Sequence, residues 1–315
     1  MKANFLYLLV FLFTISCSKK IEQTKKNNHK QYITVLGTAQ DGGYPHIGCQ
    51  RSCCANFYNG INKKKNVVAL GLVDLENKQK WIFEASPDMH TQLSDLERNH
   101  LKKENIIDGV FLTHAHIGHY TGLMYFGREA YGKSDINVFA MPKMKGFLHK
   151  NGPWSQLVLN ENVALKELRA SDSFGVGQDI SVTPILVPHR DEFSETVGFV
   201  ISGPNKAALF IPDIDKWGKW DQDIVDWVKK VDYAFLDATF YDAEEINNRD
   251  ISEIPHPFVV ESMETFRELN LQDRNKIHLI HFNHTNPLLD SSNKQVEKVL
   301  DFGFKIAETG MVIDL

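Results

Sequence analysis

Val110-Phe111-Leu112-Thr113-His114-Ala115-His116-Ile117-Gly118-His119 opens on an apolar run and closes on three imidazoles. The run has the makings of a buried strand, predicted over 109–113. The histidines follow at spacings of two and three, where the chain turns from that strand toward a predicted helix over 119–131. Imidazole is a borderline ligand suited to zinc, iron and related metals. A single His at a strand end is ordinary core or surface material. Three on one strand-to-helix turn are poorly explained by packing, so this turn is the candidate centre of a metal site.

Working outward, further strands are predicted over 32–36, 67–75, 81–84, 180–187, 197–201, 207–211, 233–236 and 277–280, each short and rich in Val, Ile, Leu or aromatics. Helical patterns fall near 88–98, 221–230, 258–269 and 291–300, with Asp88 and Asp221 at the expected N-caps. No stretch after residue 31 is rich enough in Pro, Gly or Ser to be a linker, and no solenoid repeat is visible, so 31–315 reads as one domain. The order fits two sheets packed face to face with helices outside. Three more ligand-type residues follow strands directly: His189 after Val187-Pro188, Asp213 after Phe210-Ile211-Pro212, and His281 after Leu279-Ile280. Loops held at one edge of a rigid scaffold are where catalytic groups are commonly carried.

With 43% hydrophobic and 24% charged residues in 315, the chain has an ordinary globular composition. Its formal charge of −5 provides no large basic field, which argues against a nucleic-acid partner. Lys63-Lys64-Lys65 reads as a solvated loop. At the start, Lys2 precedes an apolar stretch over 5–15, the length of a signal-peptide core and short for a membrane span. Thr14-Ile15-Ser16-Cys17-Ser18 resembles a bacterial lipobox, with Thr14 where Leu is usual. Residues 1–16 are thus expected to be a lipoprotein signal, Cys17 the lipid anchor and 17–30 a polar, flexible tether, giving an exported, periplasm-facing membrane lipoprotein. A plain secretory signal or an uncleaved anchor would share the apolar stretch.

Taken together, the His and Asp residues resemble the metallo-β-lactamase superfamily, with its pattern His-x-His-x-Asp-His, then a distal His, a bridging Asp and a last His. The resemblance implies an α+β fold, the αββα four-layer sandwich. It implies that His114, His116 and His189 hold a first metal, that Asp213 bridges, and that His119 and His281 help to hold a second. The chain departs from the pattern at Gly118, which stands where the family has a metal-ligating Asp. Asp215, two residues beyond Asp213, is the substitute nearest in sequence.

The segment from Val35 to Cys54, containing Gly37-Thr38-Ala39-Gln40-Asp41-Gly42-Gly43, looks like the opening of two branches. These are the pyrroloquinoline-quinone biosynthesis protein B family and the cyclic-phosphate phosphodiesterase of phosphonate-degradation operons. Trp81-Ile82-Phe83-Glu84-Ala85-Ser86-Pro87-Asp88 and Thr285-Asn286-Pro287 lean to the first; His114, His116 and His281-Phe282-Asn283-His284 lean to the second. The second implies a structural zinc on Cys49, Cys53, Cys54 and His284, though the spacing Cys-x₃-Cys-Cys differs from the usual Cys-x-Cys-x₂-Cys. A disulfide, for an exported protein, or unliganded thiols are the other readings of these cysteines. Asp237-Ala238-Thr239-Phe240 and His256-Pro257 resemble a tRNA-processing branch in which an acidic residue pairs with a His that protonates the leaving group, making Asp237 and His256 catalytic candidates beside Asp213.

The expected activity is that of a metal-dependent hydrolase. A metal on neutral imidazoles keeps much of its charge, so bound water becomes a usable hydroxide near neutral pH. One or two zinc ions are expected there, with manganese or iron as alternatives, and a small phosphodiester or cyclic phosphate as substrate. The alternatives are a non-catalytic metal- or ligand-binding lipoprotein, or a pyrroloquinoline-quinone-biosynthesis-like protein acting on another substrate.

Overall fold

The apolar runs become strands buried on both faces. A computed structural model describes residues 30–315 apart from Asn248; the expected signal peptide, Cys17 and all but the last residue of the tether lie outside the described residues. The strands are β1 (Gln31–Gly37), β2 (Ala69–Asp74), β3 (Gln79–Phe83), β4 (Gly109–Phe111), β5 (Ile136–Ala140), β6 (Val163–Glu167), β7 (Phe174–Gly177), β8 (Ile180–Leu186), β9 (Val197–Ser202), β10 (Ala207–Ile211), β11 (Tyr233–Asp237), β12 (Ile277–Ile280), β13 (Lys305–Ile306) and β14 (Val312–Asp314). Among the described residues they form two seven-stranded sheets, ordered β14-β1-β2-β3-β4-β5-β6 and β13-β12-β11-β10-β9-β8-β7.

Both sheets follow one plan. Antiparallel pairing from β14 to β3, and from β7 to β10, gives way to parallel pairing from β3 to β6 and from β10 to β13. Parallel neighbours need crossover connections, and helices usually supply them. Helices at Met89–Asp95, Pro142–Lys150 and Trp154–Leu159 serve the first sheet; those at Ile224–Lys230, Val259–Thr265 and Lys294–Phe302 serve the second.

The period of two along each strand divides the apolar residues between two cores. Ile33, Val35 and Phe111 face the space between the sheets, while Tyr32, Leu36, Val110 and Leu112 meet the helices outside the first sheet. Phe210 points inward in the same way, and Leu209 and Ile211 point out to the helices of the second sheet. Phe83, Phe111 and Phe139 stack in a row with centroids 4.9 and 4.4 Å apart, and Phe199 from the opposite sheet meets the first two at a steep angle. This is the expected αββα sandwich, with the aromatic row at its centre.

Several elements differ from expectation. The helix predicted over 119–131 is an α-turn at Ile117–Tyr120 followed by a 3-10 segment at Thr121–Phe126. The cap of the Ile224–Lys230 helix is Asp223, which accepts from the Val225 N–H at 2.8 Å, so Asp221 is not the N-cap. Asp88 does precede its helix, but its carboxylate accepts from the Val67 N–H at 2.9 Å and pairs with Lys64 instead of capping. β5, β6, β7, β13 and β14 were not predicted. β6 and β7 are edge strands, and β7 carries two glycines, so neither shows the apolar run of an interior strand.

Candidate metal centre

Every strand end that supplies a ligand opens onto the same edge of the sandwich. The turn after β4 brings His114, His116 and His119; the loop after β8 brings His189; β10 leads to Asp213, β11 ends in Asp237, and β12 leads to His281. The potential ligand atoms of His114, His116, His189 and Asp213 lie within 4.8 Å of one another, as do those of Asp213, Asp237, His256 and His281. All the histidines and aspartates expected at the catalytic site are thus brought together.

In the first set His114 Nε2 is 2.8 Å from His116 Nδ1, which is 3.2 Å from His189 Nε2. Asp213 Oδ2 lies 3.3 Å from His114 Nε2 and 3.2 Å from His189 Nε2. Four tetrahedral ligands about 2.1 Å from a zinc ion stand about 3.4 Å from one another. The donors present therefore have the spacing of a coordination shell.

Neighbouring groups select which ring nitrogen is left with a lone pair. Thr113 Oγ1 donates to Glu84 Oε1 at 2.6 Å, so toward His114 Nδ1, 2.9 Å away, the hydroxyl acts as acceptor and leaves Nε2 as the lone-pair nitrogen. The second sheet repeats the device. Thr239 Oγ1 donates to Asp237 Oδ1 at 2.7 Å and accepts from His281 Nδ1 at 2.9 Å, which frees His281 Nε2. Glu192 Oε2 accepts from His116 Nε2–H at 2.9 Å, which leaves Nδ1 for the shared point. Such outer partners fix ring orientation and tautomer in metal sites generally.

Glu84 and His281 both have left-handed backbones, with φ of 78° and 67°, immediately beyond β3 and β12. Non-glycine residues rarely adopt this conformation, and when they do it is found mostly at functional sites. Here it turns two fully buried side chains toward the same edge.

The electrostatics fit a cation. Burial disfavours charge on Asp213, yet His256, His189 and His114 hold its carboxyl well below the usual range. Burial likewise opposes charge on His119 and His281, but Glu84 and Asp41 raise the first well above its ordinary value, and Asp237 and Asp41 bring the second to about 9. Burial, reinforced by His119, pushes His114 well down. These carboxylates need buried positive charge, which protons or a metal can supply. Asp213 Oδ1, His119 Nε2, His281 Nε2 and Asp41 Oδ1 are buried without an aligned hydrogen-bond partner, as expected of lone pairs directed at an ion.

Asp215 does not fill the vacancy left by Gly118. Its carboxylate accepts from the Lys216 N–H at 2.7 Å and from Lys219 Nζ at 2.9 Å. The carboxylate beside Gly118 belongs to Asp41, whose Oδ1 is 3.0 Å from His119 Nε2 and 3.6 Å from His281 Nε2. Asp41 was quoted in the sequence motif, yet nothing there assigned it a role. Glu84, Thr113, Thr239 and Glu192 had no assigned role either, although the first three stand within quoted motifs.

A second cluster lies nearby. Cys49, Cys53, Cys54 and His284 place their ligand atoms within 4.8 Å of one another. Cys49 Sγ and Cys53 Sγ are 3.8 Å apart, against about 2.05 Å for a disulfide. Thiolates about 2.3 Å from a tetrahedral zinc stand about 3.8 Å apart. The three cysteines are free, and burial with the neighbouring thiols pushes Cys53 up to about 12. Burial, with His46 and Arg51 alongside, pushes His284 down to about 4.

An αββα sandwich that gathers imidazoles and carboxylates from both sheets at one edge defines a protein of the metallo-β-lactamase fold. The chain belongs to the beta-lactamase superfamily domain family, whose model matches residues 80–282. It is 24% identical over 310 residues to Coenzyme PQQ synthesis protein B of Klebsiella pneumoniae strain 342, spanning 90% of this chain and 98% of that protein. Among solved structures, Zn(2+)-bound PqqB from Methylobacterium extorquens matches with a TM-score of 0.76 at 20% identity, over 90% of this chain and 100% of that one. A diphosphatase from the PhnP family matches with a TM-score of 0.65 at 18% identity, over 90% and 96%. The first branch named from the sequence thus matches in sequence and in fold, and a PhnP-family structure shares the fold.

Proposed function

We propose that this chain is a metal-dependent hydrolase of a small phosphodiester or cyclic phosphate, exported and held at a membrane by a lipid on Cys17, with zinc as its metal. The observation that carries the hydrolase reading is the first ligand set, in which three imidazole nitrogens and Asp213 Oδ2 are preset at coordination spacing. A bound cation would supply Lewis acidity and lower the pKa of water into the neutral range. His114, His116, His189 and Asp213 would hold it; Asp213 would also face a second ion.

The remaining chemistry belongs to the chain. His256 Nδ1 is 2.9 Å from Asp237 Oδ2, and although burial opposes its charge, Asp237 and Asp213 raise its pKa. A His holding its proton near neutral pH is suited to protonate a departing oxygen. Asp237 is the positioning residue, since it holds His256 and also receives the Thr239 hydroxyl. Cys49, Cys53, Cys54 and His284 would hold a separate structural zinc. A small phosphoryl substrate is supported by the imidazole-rich set, by the cysteine cluster and by likeness to the PhnP-family diphosphatase.

A second reading, a PqqB-like protein acting on a different substrate, draws on the near full-length match to Coenzyme PQQ synthesis protein B. Hydrolysis of bis(4-nitrophenyl) phosphate by wild type and His116→Ala tests the first reading. Zinc-dependent turnover lost in the variant is the expected result. A wild type that holds zinc but cleaves neither this diester nor cyclic nucleotides would overturn it.

A further inference from the structure

We propose that Asp41 is a metal ligand, forming a second cation site with His119 and His281 beside Asp213, and that the absence of a side chain at Gly118 is what gives its carboxylate room. The inference rests on reading this edge as a metal centre but not on the reaction assigned to it.

Asp41 Oδ1, His119 Nε2 and His281 Nε2 converge from three segments far apart in sequence. The oxygen is 3.0 and 3.6 Å from the two nitrogens, and His119 Nε2 is 3.7 Å from Asp213 Oδ2. These separations bracket the roughly 3.4 Å expected between tetrahedral ligands about 2.1 Å from an ion. A plain ion pair between Asp41 and His119 would align N–H on oxygen. Instead both atoms are buried without an aligned hydrogen bond, as is His281 Nε2. His119 Nδ1 lies 3.2 Å from Glu84 Oε1 without an aligned hydrogen bond, and His281 Nδ1 is held by Thr239, so the Nε2 atoms are the ones that meet at the shared point.

The backbone fixes Asp41 there. Just beyond β1, Ala39 forms a parallel bridge with Phe282, the residue after His281. The Phe282 N–H donates to Thr38 O and the Gln40 N–H donates to Phe282 O, each at 2.8 Å. The loop from the first sheet is thus tied to the end of β12 in the second, with Asp41 next in line.

Gly118 is the complementary half of the argument. A Cβ added there would lie 2.1 Å from Asp41 Oδ1 and 2.7 Å from its Cα and Cγ. No real Cβ contact is that short, so a side chain at 118 and the Asp41 carboxylate exclude one another. The clash reaches the Asp41 backbone as well as its carboxylate, so Asp41 can sit here only with glycine at 118.

The test counts zinc per chain by atomic emission at saturating zinc, after loosely bound ions are removed. It compares wild type, Asp41→Gly, the near-isosteric Asp41→Asn, and Gly118→Ala, whose Cβ would collide with the Asp41 carboxylate and Cα, with circular dichroism confirming the fold. All three variants are expected to hold one zinc fewer than wild type. Folded Asp41 variants that keep the wild-type count would overturn the ligand, and a folded Gly118→Ala that keeps it would overturn the role of Gly118. Because the readout is metal content, the expected counts in a protein that cleaves no phosphodiester would uphold the ligand and reject only the hydrolase.

Discussion

Three of the four ligands of the thiol cluster fall between Cys49 and Cys54, whereas those of the imidazole and carboxylate centre come from loops on both sheets, from Asp41 to His281. The two also differ in their surroundings. Glu84, Thr113, Glu192 and Thr239 each hold a side chain of the centre in a set orientation. At the thiol cluster the supports are mainly backbone: Tyr44 donates its hydroxyl to Cys53 O at 2.6 Å, and the His46 N–H approaches Cys54 Sγ at 3.4 Å. The imidazole centre has its ring nitrogens oriented by side chains, three of them buried and Glu192 exposed, whereas the thiol cluster is held chiefly through its backbone.

That contrast breaks most sharply at His116. His116→Ala should lower diester hydrolysis on the order of 10³-fold or more, since a metal's Lewis acidity supplies several kcal/mol to the transition state. Steady-state rates alongside thermal melts check it, and the melting temperature should hardly move. Cys54→Ser should do the opposite, releasing one zinc and about 2–5 kcal/mol of stability, as loss of a cross-link does. Hydrolysis below the melting temperature should stay within about tenfold of wild type. Denaturant unfolding with metal analysis would show whether the clusters divide in this way.

Smaller effects sharpen the comparison. Glu245 accepts from Thr285, next to His284, and burial raises its carboxyl from 4.5 to about 7. A raised folded-state pKa means that the protonated form favours the fold. This contribution is whole below about pH 4.5 and is lost as pH rises through about 7. Glu245→Gln should therefore match wild type at pH 4 and exceed it by on the order of 3 kcal/mol above pH 8, which melts across that range would reveal. Thr239→Val removes the hydroxyl joining Asp237 to His281. It should cost about 1–2 kcal/mol in stability and about tenfold in rate, read from unfolding curves and kcat.

How much of this was legible in the sequence follows from which interactions are local. Strands such as β4 and β10 are buried on both faces, so they read as continuous apolar runs. The histidine spacing on the turn after β4 is local too, and it points to the edge where the structure gathers the other ligand-type residues. β6 carries Lys166 and Glu167, and β7 has Gly175 and Gly177; edge positions impose no such pattern. The departure at Gly118 was visible, but its partner was sought in the neighbouring Asp215. Asp41 reaches the site only through the bridge between Ala39 and Phe282, a pairing across the two sheets that leaves no periodic trace in either segment.

The placement of the ligands along the chain also sets an order in time. An ion meeting a newly made, still unfolded chain finds Cys49, Cys53 and Cys54 already neighbours, and gathering them costs little chain entropy. His114, His116 and His119 are as local in sequence as the thiols, but Asp41, Asp213 and His281 join them only when the two sheets have docked. If each cluster binds metal, the thiols can engage an ion during folding, whereas the proposed Asp41, His119 and His281 set can share one only in the finished sandwich.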